Sequence, residues 1–210
     1  MTVTTESELA PSQTRDDDRP VAPWVLLETS DGPDTYQVIA EGQRPRRRTR
    51  LERTRLAGSS AVARRLPSLI ATAIATRHQQ TATAHRASSE PMRIIAVPVT
   101  VGEEVLAVQM WAGASTTPIP PKPAVGTVLW PVGSRGVGLT SGVFERMIDS
   151  DQVTDGWRTL PDLMRHFDHV EDRNGLLALF DDTAEPRSWV GTVVTSGLVT
   201  RARRTLSLSE

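Results

Sequence analysis

The chain has 210 residues, 24 basic against 25 acidic side chains, a net charge of -1, and no cysteine. That length suits one large domain or two small ones with an unstapled core, while 38% hydrophobic content beside 15 prolines and 14 glycines leaves a fair share of the chain for loops. The lack of cysteine excludes disulfides, thiolate metal sites and cysteine nucleophiles, and the balanced charge argues against a wholly basic nucleic-acid protein.

Residues 1–20 are polar and acidic without periodicity, which predicts a disordered tail. They carry none of the basic and apolar pattern of a secretory leader. No uncharged run in the chain is apolar enough to span a bilayer, so a cytoplasmic location is expected. Trp24–Leu27 and Tyr36–Ala40 flank a turn-rich stretch, Ser30–Asp34, and predict a hairpin. Residues 44–65 hold nine arginines (44, 46, 47, 48, 50, 53, 55, 64 and 65) against one acid, Glu52. A short helical piece is expected there, with an N-cap in Gly58-Ser59-Ser60. Lys122 is the sole lysine, so arginine usage reflects coding bias as well as chemistry.

Val62, Leu66, Leu69, Ile70, Ala73 and Ile74 recur on one helical face. They predict a helix over 66–80, with Pro67 in its first turn. Arg93–Val101 and Glu104–Trp111, joined at Gly102-Glu103, form the clearest hairpin. Both strands are apolar at nearly every position, so the pair is expected to be central and covered on both faces. Pro98 predicts an edge or a bulge.

Prolines 118, 120, 121 and 123 predict a semi-rigid linker over 116–123. A second unit over 124–210 follows. Its expected strands are Ala124–Trp130, Gly136–Leu139, Leu176–Asp181, Trp189–Thr195 and Leu198–Leu208. Its expected helices are one after Ser141 and one over Leu160–Phe167, with Pro161 at the first helical position. The fold class is therefore α+β: two small domains, 21–115 and 124–210, each an antiparallel sheet with helices packed on it.

Trp24-Val-Leu-Leu-Glu-Thr29, Arg93-Ile-Ile-Ala-Val-Pro-Val99, Val105–Gly113 and Pro123–Trp130 form an ordered series. It resembles a mycobacterial and actinobacterial family of multi-domain sensory proteins, over roughly residues 22–195 of this chain. The resemblance implies a GAF-like domain followed by a PAS-like one, a sensory or signalling role, and no assigned catalysis or agreed ligand. Relatives commonly continue into a third domain, so the second unit here is either final or incomplete.

Chemistry-bearing motifs are sparse. Gly133–Thr140 has the glycine spacing of a phosphate loop, but Leu139 stands where the lysine belongs. Gly138-Leu-Thr-Ser-Gly142 centres on Thr140 where a nucleophile elbow needs serine, and Ser141 reads as an N-cap. His166 and His169 share a helix face if that segment is helical, with Asp168, Glu171 and Asp172 beside them, but a third well-spaced metal ligand is missing. No metal and no cofactor are expected, and no catalytic grouping survives, so the chain is read as a non-enzyme.

If the GAF-like domain holds a small molecule, Tyr36, Ile74, Met110 and Trp111 are its lining candidates. Arg46, Arg47, Arg48 and Arg50 form a candidate basic contact surface. Residues 141–190 hold eleven acids against five arginines. The opposite charge of the two segments favours a domain–domain contact or a contact between subunits, and a protein partner or a homo-oligomer is expected. The alternative is a nucleic-acid-binding regulator acting through Arg44–Arg65, disfavoured by the absence of interleaved aromatics.

Overall fold

In the computed structural model the described residues are 22–29, 36–42, 44–86, 89–130, 136–148, 154–178, 180, 188–195 and 203–209. The expected tail (1–20) and the glycine-rich turn at 133 lie outside them. Three strands open the fold: β1 (Val25–Glu28), β2 (Gln37–Glu41) and β3 (Arg44–Arg50). Two 3-10 turns follow, Leu51–Arg53 and Arg55–Gly58, then a single helical turn α1 (Ser60–Ala63) and the longer α2 (Leu66–Thr76). Strands β4 (Gln80–Arg86), β5 (Ser89–Val101) and β6 (Glu104–Ala114) complete a six-stranded sheet in the order β3-β2-β1-β6-β5-β4. Every neighbouring pair in it is antiparallel.

The central hairpin is β5–β6, with Ile95 opposite Trp111 and Val97 opposite Gln109. Side chains alternate between faces along a strand, and the two strands sort accordingly. Ile94, Ala96, Val108, Met110 and Ala112 pack with Val25, Leu27, Leu66, Ile70 and Ala73 in the main core beneath the helices. Ile95, Val97 and Trp111 gather with Trp24 on the opposite face. Both faces are thus covered, as the continuous apolar pattern predicts. Pro98 lies beyond Gln80, whose partner is Ala96, so β5 has no β4 neighbour at the residue that lacks an N–H.

Four expectations need correction. The arginine-rich segment begins as strand β3, because pairing with β2 overrides a weak local preference. Helix α2 stops at Thr76, where Arg77 turns left-handed at φ 57°. That turn frees Gln80–Arg86 to pair with β5, in a strand whose Thr/Ala composition gave no apolar signal. Leu176–Ala178, the start of the expected strand Leu176–Asp181, is helical: Arg173–Ala178 is helix α5, started where the Asp172 carboxylate accepts the Gly175 N–H at 2.9 Å. Finally, only Val128–Leu129 (β7) of the expected strand 124–130 is extended in a sheet.

Strands β7, β8 (Val137–Thr140) and β9 (Gly156–Thr159) form a three-stranded antiparallel sheet, with helix α3 (Gly142–Met147) after β8. Ser141 caps α3 by accepting the Phe144 N–H at 3.2 Å. Thr159 and Asp162 cap helix α4 (Leu160–Met164) reciprocally, with proline in its first turn. Strands β10 (Phe167–Val170), β11 (Ser188–Thr195) and β12 (Arg203–Ser209) make another antiparallel sheet. The whole is α+β with mainly antiparallel sheets and few helices.

Candidate functional site

Two places concentrate buried polar chemistry. The first is the helix-free face of the six-stranded sheet. The proline segment lies across this face and is held by side chains that rise from it. Trp24 Nε1 donates to the Pro120 carbonyl at 3.0 Å, Gln109 Nε2 to the Pro123 carbonyl at 2.8 Å, and the Arg93 guanidinium to the Thr117 carbonyl at 3.3 Å. Lys122 Nζ in turn donates to Gln109 Oε1 at 2.9 Å. Burial lowers the Lys122 pKa, because a partly desolvated ammonium finds only a neutral amide. Trp111 is fully buried, its Nε1 donating to the Ala22 carbonyl at 3.0 Å and its ring under the Arg93 guanidinium at 5.8 Å. A Cβ at Gly113 would sit 2.4 Å from Trp111 Cζ2, so that indole requires glycine two residues on.

The second place is where β8, α3 and β9 meet. Glu145 is 0% exposed. Arg158 grips its carboxylate side-on, Nε to Oε1 at 3.2 Å and Nη2 to Oε2 at 2.8 Å, and the Thr140 hydroxyl donates to the same Oε1. Glu145 hydrogen bonding raises the Arg158 pKa. Beside this pair, Asp155 accepts the Gly142 N–H at 2.9 Å with one oxygen and the Gly102 N–H at 2.6 Å with the other. Gly102 is the left-handed residue of the β5–β6 turn, at φ 55°. One carboxylate therefore ties the tip of the central hairpin to the start of α3.

Of the lining candidates, Met110 is fully buried in the core beneath the helices, with Tyr36 and Ile74 partly buried against that core. Trp111 is on the opposite face, so the structure brings three of the four together and separates the fourth. Among the basic candidates, Arg46 and Arg50 are exposed on β3, and Arg46 pairs with Glu41. Arg47 and Arg48 are on the same strand, their side chains outside the described set. His166 follows the end of α4 and His169 is in β10, so the shared helix face expected for them does not form. Among the described residues no three His, Asp or Glu side chains gather as a metal site. No described helix is long and apolar enough to cross a membrane.

Sequence reading missed Glu145, Arg158, Asp155 and Gln109. Glu145 and Arg158 are thirteen residues apart on different elements, a spacing without periodic meaning. Glu145 stands next to Arg146 in a short helix, Phe144-Glu145-Arg146-Met147, so its local sequence gave no sign of a buried, distant partner.

Residues 23–122 match the family described as Rv3651-like, N-terminal. The match ends at Lys122, inside the segment that crosses the sheet. A crystal structure of an uncharacterized protein from Mycobacterium tuberculosis is similar, with a TM-score of 0.61 at 21% identity, covering 82% of this chain and 54% of that one. At that identity the likeness establishes a shared fold, and the chain spans about half of that protein's length. No curated protein matches the chain.

Proposed function

We propose that the chain is a non-enzymatic sensory or signalling module of the GAF/PAS type, acting by binding a small molecule, a protein partner or both. One observation carries the reading: among the described residues, the polar groups that gather at these two places, buried Glu145 and Gln109 with the exposed Asp155 and Lys122, are engaged in holding the fold. Glu145 is gripped by Arg158, both Asp155 oxygens accept backbone N–H groups, and Gln109 and Lys122 fasten the proline segment. A general base or nucleophile needs a free lone pair directed at a substrate. The antiparallel sheet with helices on one face supports the GAF-like part of the reading, and Tyr36, Ile74 and Met110 mark where a small molecule would enter between them.

Thermal denaturation against a panel of nucleotides, acyl compounds and aromatic metabolites tests it. A ligand at about a hundred times its Kd stabilises by about 2.7 kcal/mol, which raises Tm by about 5–11 °C in a chain of this size. The shift is expected to weaken in Met110→Ala beyond that variant's own loss of Tm. Turnover of any panel compound, abolished by Glu145→Gln while the fold is retained, would replace the reading with an enzymatic one.

A further inference from the structure

The arginine-rich strand region and the acidic second half are opposite in charge, and among the described residues no ion pair joins them. Residues 44–65 carry nine arginines and one acid, residues 141–190 eleven acids and five arginines, within a chain of net charge -1. In the fold, Arg44 and Arg50 are exposed on β3, Arg53 follows in the first 3-10 turn, and Arg64 and Arg65 are exposed at the end of α1. Strand β3 is the sheet's edge. Asp168 and Glu171 are exposed on and just after β10, and Asp172 at the start of α5. None of these five arginines or three acids has an ion-pair partner among the described residues. The acidic half also exposes Trp157, at 62%, and Leu177 on α5. Tryptophan and arginine are the side chains that most often anchor protein contacts.

We propose that this chain associates with a second copy of itself, the Arg44–Arg65 face of each protomer meeting the Asp168–Asp172 face of the other. Three physical facts favour a second copy over other acidic or basic partners. The near-zero net charge removes overall repulsion between copies. The exposed Arg44, Arg50, Arg53, Arg64 and Arg65 of one copy are opposite in sign to the exposed Asp168, Glu171 and Asp172 of the other. A two-fold arrangement forms each contact twice, which closes the assembly at a dimer. Strand addition at β3 is not the mode. Pro45 lies in that strand, and the register breaks between Val38 and Ala40, both devices that block edge pairing. The contact is therefore made by side chains, and its strength follows the ionic strength.

The proposal deepens the contact reading above, yet its test is separate, since a ligand-induced Tm shift does not require self-association. Sedimentation equilibrium of the full chain is run at about 10 mM and about 1 M salt, where the screening length falls from about 30 to about 3 Å. Dimer is expected at low salt and monomer at high salt. One variant carries Arg44→Glu, Arg50→Glu and Arg53→Glu; another carries Asp168→Arg and Glu171→Arg, leaving Asp172 to cap α5. Each alone is expected to lower the association constant about tenfold or more. Mixed together they are expected to recover a heterodimer, because both contacts are again opposite in sign. Circular dichroism confirms that each variant is folded. A monomer at low salt, a dimer indifferent to salt, or a mixture no tighter than either variant alone would each overturn the proposal.

Discussion

Replacing Arg158 by methionine isolates the energetics of the buried carboxylate. Arg158 is 20% exposed at its side chain and Glu145 is 0% exposed. Removing the guanidinium takes two charge-assisted hydrogen bonds away from a carboxylate that stays in the interior. Breaking a buried pair in this way costs about 3–5 kcal/mol, whereas an exposed pair is worth about 1 kcal/mol or less. With a urea dependence of about 2 kcal/mol per molar, the midpoint should fall by about 1.5–2.5 M. The double variant Glu145→Met/Arg158→Met removes both charges and keeps a side chain of similar bulk at each position. It should recover most of that loss, because a well-packed apolar pair often equals a buried ionic one. Urea denaturation followed by tryptophan fluorescence measures both. A single variant costing under about 1 kcal/mol, or a double variant no more stable than the single, would refute the claim that the cost comes from stranding the carboxylate.

Gln109→Leu removes the amide that donates to the Pro123 carbonyl and accepts from Lys122; hydrogen exchange should quicken over residues 115–123 while β5 and β6 stay protected, with a stability loss of about 1–3 kcal/mol. The acid limit of α4 follows from Asp162. Hydrogen bonding from Thr159 lowers its pKa, so its contribution is present above the unfolded value of about 3.9 and is lost as pH falls through the lower folded value. Asp162→Asn should flatten the stability profile below pH of about 4, read from thermal melts in that range, and an unchanged profile would count against the capping box.

How far the sequence reaches depends on whether a residue's role is local. The β5–β6 hairpin was legible because both strands are apolar throughout, and the Ser141 and Pro161 helix starts because capping is decided within one turn. The left-handed Arg77 was hidden, since arginine is no signal for that conformation, and with it went the end of α2 and the existence of β4. Leu176-Leu-Ala-Leu-Phe180 is a short apolar run whose periodicity does not separate helix from strand; the side-chain bond from Asp172 decides it. The proline segment was recognised as stiff, but its path over the sheet depends on Trp24, Gln109 and Arg93, which are distant in sequence. The buried Glu145–Arg158 pair and the Asp155 bridge are long-range for the same reason.

Trp24 and Gln109 both hold carbonyls that come late in this part of the chain, at Pro120 and Pro123. During synthesis the strands from β1 to β6 emerge first, and their indole-bearing surface stays bare until residue 123 has cleared the ribosome. At about 5–20 residues per second that delay is brief, but a translational pause just after β6 would prolong it. The nascent chain would then be most exposed to chaperones and to aggregation at that step, with the strands made and their cover still unborn.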